Sequence, residues 1–208
     1  YENIFNLFSY LKKYGFTVDI GDITVLARVY LNITARCNLK CPMCYFTYND
    51  FIGNATLPCE MSYKDLYKTV DALSEVNIDN LIISGGEPLL HKEFPRLLKY
   101  IKKKSSQITI LTNGTLITNR LARYISNIGA NIQISIESAD PRIHDSIRGS
   151  GSFKKAMKGI SELHDAGVKN IEIVQTLTKA HIAESRNVIE LAKRLGVGYH
   201  FSLFVPIG

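Results

Sequence analysis

Three cysteines stand within eight residues, in the run Cys37-Asn38-Leu39-Lys40-Cys41-Pro42-Met43-Cys44. Their number limits the chemistry. A structural zinc takes four protein ligands, and a ferredoxin-type cubane has a cysteine on each iron. A cubane held by three thiolates leaves one iron without a protein ligand, open to a small chelating molecule as at a catalytic metal site. The run follows the apolar segment Val29–Ile33, so it lies on the first loop off a predicted core strand. A second string, Gly85-Gly86-Glu87-Pro88, follows the next predicted strand, Leu81–Ser84. Taken alone, the cysteines also suit a zinc loop with Cys59 or a histidine as fourth ligand, and the glycine string suits a turn before a helix. Cys59 falls outside the spacing of the run and is read as an incidental thiol.

The glycine string one strand after the cysteines, with the aromatic Tyr45 directly behind them, resembles the radical S-adenosylmethionine (SAM) enzymes. The resemblance implies a [4Fe-4S] cluster on Cys37, Cys41 and Cys44, with SAM chelating the fourth iron. Reductive cleavage of SAM would then give a 5'-deoxyadenosyl radical that takes hydrogen from a substrate. It assigns Tyr45, Gly85, Gly86, Glu87 and Pro88 to the cofactor site: the glycines for close backbone approach, the Glu87 carboxylate and nearby carbonyls for the SAM ammonium. Thr112 and Asn113 at the end of the third strand, and Ser135 and Glu137 at the end of the fourth, are placed to reach the ribose or methionine portion. For Thr112 and Asn113 a tight turn through Asn113-Gly114 is an equal reading. Arg148 matches the SAM carboxylate in charge and shape. Arg36 and Lys40 flank the run, either supporting an anionic cluster or simply facing solvent. No side chain is assigned a catalytic role beyond the cluster and SAM site.

The passage from Ser135 to Phe153 narrows the resemblance to members that carry a SPASM or twitch extension, the group of peptide maturases, sulfatase-maturing enzymes and cofactor-biosynthesis proteins. His144 and Asp145 belong to that pattern and are expected to order the loop. The extension's further cysteines do not occur after Cys59. The expected partners are a peptide or small-molecule substrate and an electron donor such as flavodoxin or ferredoxin. The readings set against this are a non-catalytic zinc or metal module and radical modification of RNA.

Positioning these residues requires alternating strands and helices, and the periodicity supplies them. The strands read as Val29–Ile33, Leu81–Ser84, Gln107–Thr112, Asn131–Ile136, Asn170–Leu177 and Tyr199–Phe204. Helical faces run through Tyr63, Leu66, Tyr67, Val70 and Leu73, capped by Ser62, and through Phe94, Leu97, Leu98 and Ile101. Another begins at a Thr118 cap. A loop to Gly151 precedes a Ser152-capped helix, and a last helix runs from Ile182 to Gly196. Helical crossovers imply parallel strands, and the predicted class is α/β: a partial (β/α)6 barrel over residues 29–208. Residues 1–28 read as a helix and a β-hairpin, Phe16–Ile20 against Ile23–Leu26, before that core.

The 208 residues are 46% hydrophobic and 21% charged, which suits a globular chain with a substantial core. No apolar run is long enough to span a bilayer and no signal peptide is legible, so a cytoplasmic place with reduced thiols is expected. The net charge of +6 permits a polyanion partner. However, the cations are spread over amphipathic helices, and Lys102-Lys103-Lys104 reads as a solvated helix end rather than a nucleic-acid patch. The chain starts at Tyr1 and stops after an apolar strand, and is expected to be a domain of a longer protein.

Overall fold

A computed structural model of the chain describes residues 18–19, 26–44, 60–75, 78–105, 107–179 and 181–203. They fall into two compact units, one within Tyr1–Cys37 and Ala55–Ile110, the other within Asn38–Asn54 and Leu111–Gly208.

In the first unit, strand β1 (Val18–Asp19) lies antiparallel to β2 (Leu26–Asn32), with Val18 opposite Val29. Residues 20–25 of the predicted hairpin lie outside the described residues; β1 pairs with Arg28 and Val29 of β2. Leu26 to Asn32 is one uninterrupted extended run, and a strand has two edges. Its other edge pairs in parallel with β3 (Ile78–Ser84), Leu31 opposite Ile83, and β3 pairs in parallel with β4 (Ile108–Thr112), Leu81 opposite Ile108. The predicted N-terminal helix lies outside the described residues. Helix α1 (Tyr63–Ser74) starts where the Ser62 hydroxyl accepts the Asp65 amide, and it buries Leu66, Val70 and Leu73. Helix α2 (Phe94–Lys102) buries Phe94, Leu97, Leu98 and Ile101. Tyr63 and Tyr67, read as core residues, instead stack near the surface, with centroids 4.1 Å apart and Tyr67 4.0 Å from Tyr100. Their hydroxyls favour a half-wet face. Lys99 and Lys102 occupy the last turn of α2, and Lys104 pairs with Asp71 at 3.0 Å, the helix-end arrangement expected of this lysine run.

The second unit contains α3 (Asn119–Ile128), β5 (Asn131–Ser135), α4 (Pro141–Arg148), α5 (Ser152–Asp165), β6 (Ile171–Leu177), α6 (Ser185–Leu195) and β7 (Gly198–Leu203). Strands β5, β6 and β7 are parallel neighbours, with Ile134 opposite Ile173. Thr118 caps α3, accepting the Leu121 amide, and Gly129 ends it at φ 71°. Two expectations are corrected here. The stretch from Ile136 to Gly151, read as a loop, contains helix α4: Asp140 caps it and Pro141 occupies its first turn, where a missing amide hydrogen costs nothing. Ser152 is not the cap of α5 but its first residue, behind Gly151 at φ 74°. Ile182 is exposed in a short 3-10 turn rather than on the face of α6.

Candidate functional site

In the first unit, parallel pairing of β2 with β3 brings the loop leading to Cys37 alongside the loop containing Gly85 and Gly86. The Gly86 amide donates to Thr34 O at 2.7 Å and the Glu87 amide to Arg36 O at 2.8 Å. A Cβ on Gly85, whose φ is +138°, would stand 2.3 Å from Thr34 O, and one on Gly86 would stand 2.4 Å from Arg36 O. The glycines thus permit close backbone approach by the segment entering Cys37. The Glu87 carboxylate is fully buried and caps the 3-10 turn Pro88–Leu90 by accepting the Leu89 amide at 3.1 Å. Pro88 is the buried first residue of that turn. Arg36 is committed to Glu60 at 2.5 Å and to Leu90 O at 3.2 Å.

In the second unit, Cys41 and Cys44 close a turn in which the Cys44 amide donates to Cys41 O at 3.0 Å. Cys41 is 6% exposed and Cys44 half-buried. A polar ring holds the run from below. Asn113 Nδ2 donates to Asn38 Oδ1 at 2.9 Å, Asn38 Nδ2 donates to Thr115 Oγ1 at 2.8 Å, and Thr115 donates from both amide and hydroxyl to Asn113 Oδ1. The Thr112 hydroxyl accepts the Gly114 amide. Thr112 and Asn113 stand in a turn, and Asn113 additionally anchors the cysteine loop. Asn38 and Thr115 were missed in the sequence; the only signal was the single asparagine inside the cysteine run.

Glu137 is fully buried. Its Oε1 accepts from Arg148 Nε at 2.8 Å and also from Nη2, while its Oε2 accepts the Thr176 amide at 2.9 Å. Both carboxylate oxygens are engaged. Two of the Arg148 nitrogens serve Glu137, and Nη1 lies 3.9 Å from Cys41 Sγ. A desolvated carboxylate requires such a partner. The pair fastens the end of β5 to the cysteine loop and sets positive charge beside the Cys41 sulfur. Ser135 is a half-buried residue of β5 opposite Val174.

His144 and Asp145 order the loop, as expected. The His144 Nδ1 accepts the Glu137 amide at 3.2 Å, and burial, aided by the nearby Arg148 charge, pulls its pKa down to about 4. Asp145 accepts the amides of Gly151 and Phe153 and the Ser152 hydroxyl, and these bonds hold its carboxyl below the usual range. Tyr45 and Cys59 lie outside the described residues. Among the described residues no three His, Cys, Asp or Glu side chains are gathered to hold a single metal ion, and no helix is long and apolar enough to cross a membrane.

Parallel strands with helical returns, a cysteine run after the first of them and a glycine pair after the second define an α/β protein of the partial-barrel class. The chain belongs to the radical SAM superfamily, whose model matches residues 31–195. It is 31% identical over 179 residues to the AdoMet-dependent heme synthase of Nitratidesulfovibrio vulgaris, covering 85% of this chain and 47% of that protein. It is 28% identical over 177 residues to the mycofactocin maturase MftC of Mycobacterium tuberculosis, covering 85% and 44%. The crystal structure of Streptococcus suis SuiB bound to S-adenosylmethionine has the same fold, with a TM-score of 0.74 at 17% identity over 99% of this chain and 46% of that one. SuiB bound to its precursor peptide SuiA gives 0.72, likewise at 17% identity, over 98% and 44%. The chain spans about half the length of the curated relatives it matches.

Proposed function

We propose that residues 29–208 form a radical SAM core in which Cys37, Cys41 and Cys44 hold a [4Fe-4S] cluster and SAM binds its open iron. The donor set suits that group: three thiols in one short run, one of them buried against a guanidinium. A cubane keeps its thiolates at separate corners, which is compatible with the described residues offering no closed single-ion site. When bound, the cluster supplies the electron that splits SAM into methionine and a 5'-deoxyadenosyl radical, which abstracts hydrogen from the substrate.

The protein's own residues fix and insulate the site. The Gly86 and Glu87 amides hold the approach to Cys37, the Asn38–Asn113–Thr115 ring holds the loop, and Arg148 offsets thiolate charge at Cys41. The backbone of Gly85 and Gly86 is assigned to the SAM ammonium, and Tyr45 and Ser135 are assigned to the remaining cofactor contacts. The substrate is a peptide undergoing maturation or a cofactor precursor. This follows the relatives named as mycofactocin maturase and heme synthase and the SuiB complex with a precursor peptide. An acidic one-electron donor such as flavodoxin or ferredoxin, a cytoplasmic location and a SPASM-type extension complete the proposal.

The observation that carries the reading is the match of the superfamily model across the cysteine run and the loops after the next four strands. Anaerobic reconstitution with iron and sulfide should give a cluster that Cys37→Ala, Cys41→Ala or Cys44→Ala abolishes. The reduced protein should convert SAM to 5'-deoxyadenosine; failure to do so, with and without candidate substrates, refutes the enzymatic reading.

A further inference from the structure

An electron must reach the cluster site from outside, and one groove of the second unit borders the cysteine loop directly. It encloses about 270 Å³ and is lined by Asn38, Leu39 and Lys40 of the loop, by Thr115, by Arg148, Gly149 and Ser150, and by Ser152 and Lys155 at the start of α5. Among the described residues no carboxylate lines it. Arg148 is the floor, with Nη1 3.9 Å from Cys41 Sγ. Lys40 and Lys155 are exposed, and among the described residues neither is in an ion pair. Positive charge continues along α5, where Lys154, Lys155 and Lys158 are exposed and no acidic residue occurs before Glu162. The nearest carboxylate in sequence, Asp145, is spent on the Gly151 and Phe153 amides and the Ser152 hydroxyl.

We infer that this groove and the lysine-bearing start of α5 are the docking face for an acidic electron-transfer protein of the flavodoxin type, with Arg148 and Cys41 as the entry to the cluster. The inference rests on the proposed radical SAM chemistry and specifies the surface through which it is reduced. A small anion is the weaker fit. The one guanidinium in the groove is already engaged by Glu137, and the free charges are two long lysine side chains at the rim, which suit a broad acidic face and steer its approach. In the transfer itself, one electron leaves the anionic flavin hydroquinone, which becomes the neutral semiquinone, and takes the cluster from its 2+ to its 1+ state. No bond is formed or broken.

Binding of oxidised flavodoxin to the reconstituted protein, measured by surface plasmon resonance at low salt, tests the surface independently of turnover. Lys155→Glu should weaken binding about tenfold and Lys155→Arg should restore it. Lys169→Glu, an equal charge change at the opposite end of β6, should leave binding unchanged. 5'-Deoxyadenosine formation driven by reduced flavodoxin should fall in parallel in Lys155→Glu, while formation driven by dithionite stays at the wild-type rate. Should Lys155→Glu fold poorly, Lys40→Gln carries the binding measurement. Unchanged flavodoxin binding in these variants, or an equal loss in Lys169→Glu, overturns the assignment. Absence of dithionite-driven 5'-deoxyadenosine in the wild type instead removes the enzymatic reading, and the binding measurement still decides the surface.

Discussion

Glu137 sits at 0% exposure, paired with Arg148, itself 12% exposed. Breaking a buried pair from one side leaves an uncompensated charge, so Arg148→Met should lower unfolding stability by about 3 kcal/mol in urea titration. Adding Glu137→Gln should recover at least half of that loss, because the carboxylate and its desolvation cost then disappear together. His144, packed edge-on against Phe153 with ring centroids 5.5 Å apart, gives a second prediction. Its folded pKa of about 4 lies below the ordinary 6.5, so between these values the unfolded chain binds a proton that the folded chain refuses. Stability should therefore fall as pH drops from 6.5 toward 4, by up to roughly 3 kcal/mol. His144→Gln should flatten that dependence when unfolding is followed across the same range.

The short helix α4 and the start of α5 form a corner built around Asp145, which supplies from a neighbouring helix the cap that Gly151 lacks. Asp145→Ala should cost about 1–2 kcal/mol in global stability. Amide hydrogen exchange should quicken first in Gly151 to Phe153, leaving the centre of α5 protected. The same corner shows what periodicity overlooks. Asp140-Pro141 is a legible helix start, but eight residues carrying charges at Arg142, Asp145 and Arg148 offer only His144 and Ile147 as buried positions. A face that narrow is drowned by its neighbours, and the stretch reads as a loop until tertiary contacts hold it.

At the scale of the molecule, the cysteine count bounds the iron content. With one three-thiolate run and Cys59 outside it, reconstitution of residues 1–208 should load about four irons and four acid-labile sulfides. Cys59→Ala should leave both values unchanged; iron and sulfide analysis checks this, and a loss in that variant would assign Cys59 to the cluster. By itself the sequence determined the alternation of parallel strands with helices, because apolar spacing is a local property that each element carries independently of its partners. It also placed the cysteine run and glycine pair at strand ends, since composition punctuates strands where Asn, Gly and Pro begin. Only the tertiary structure decided where charge goes. Glu87 accepts an amide, and Glu137 and Arg148 close on each other, because a buried carboxylate must be satisfied by whichever donor the fold brings near. Pairings such as Arg148 with Cys41, separated by more than a hundred residues, have no local signature; they exist only once the loop, β5 and α4 are folded against one another.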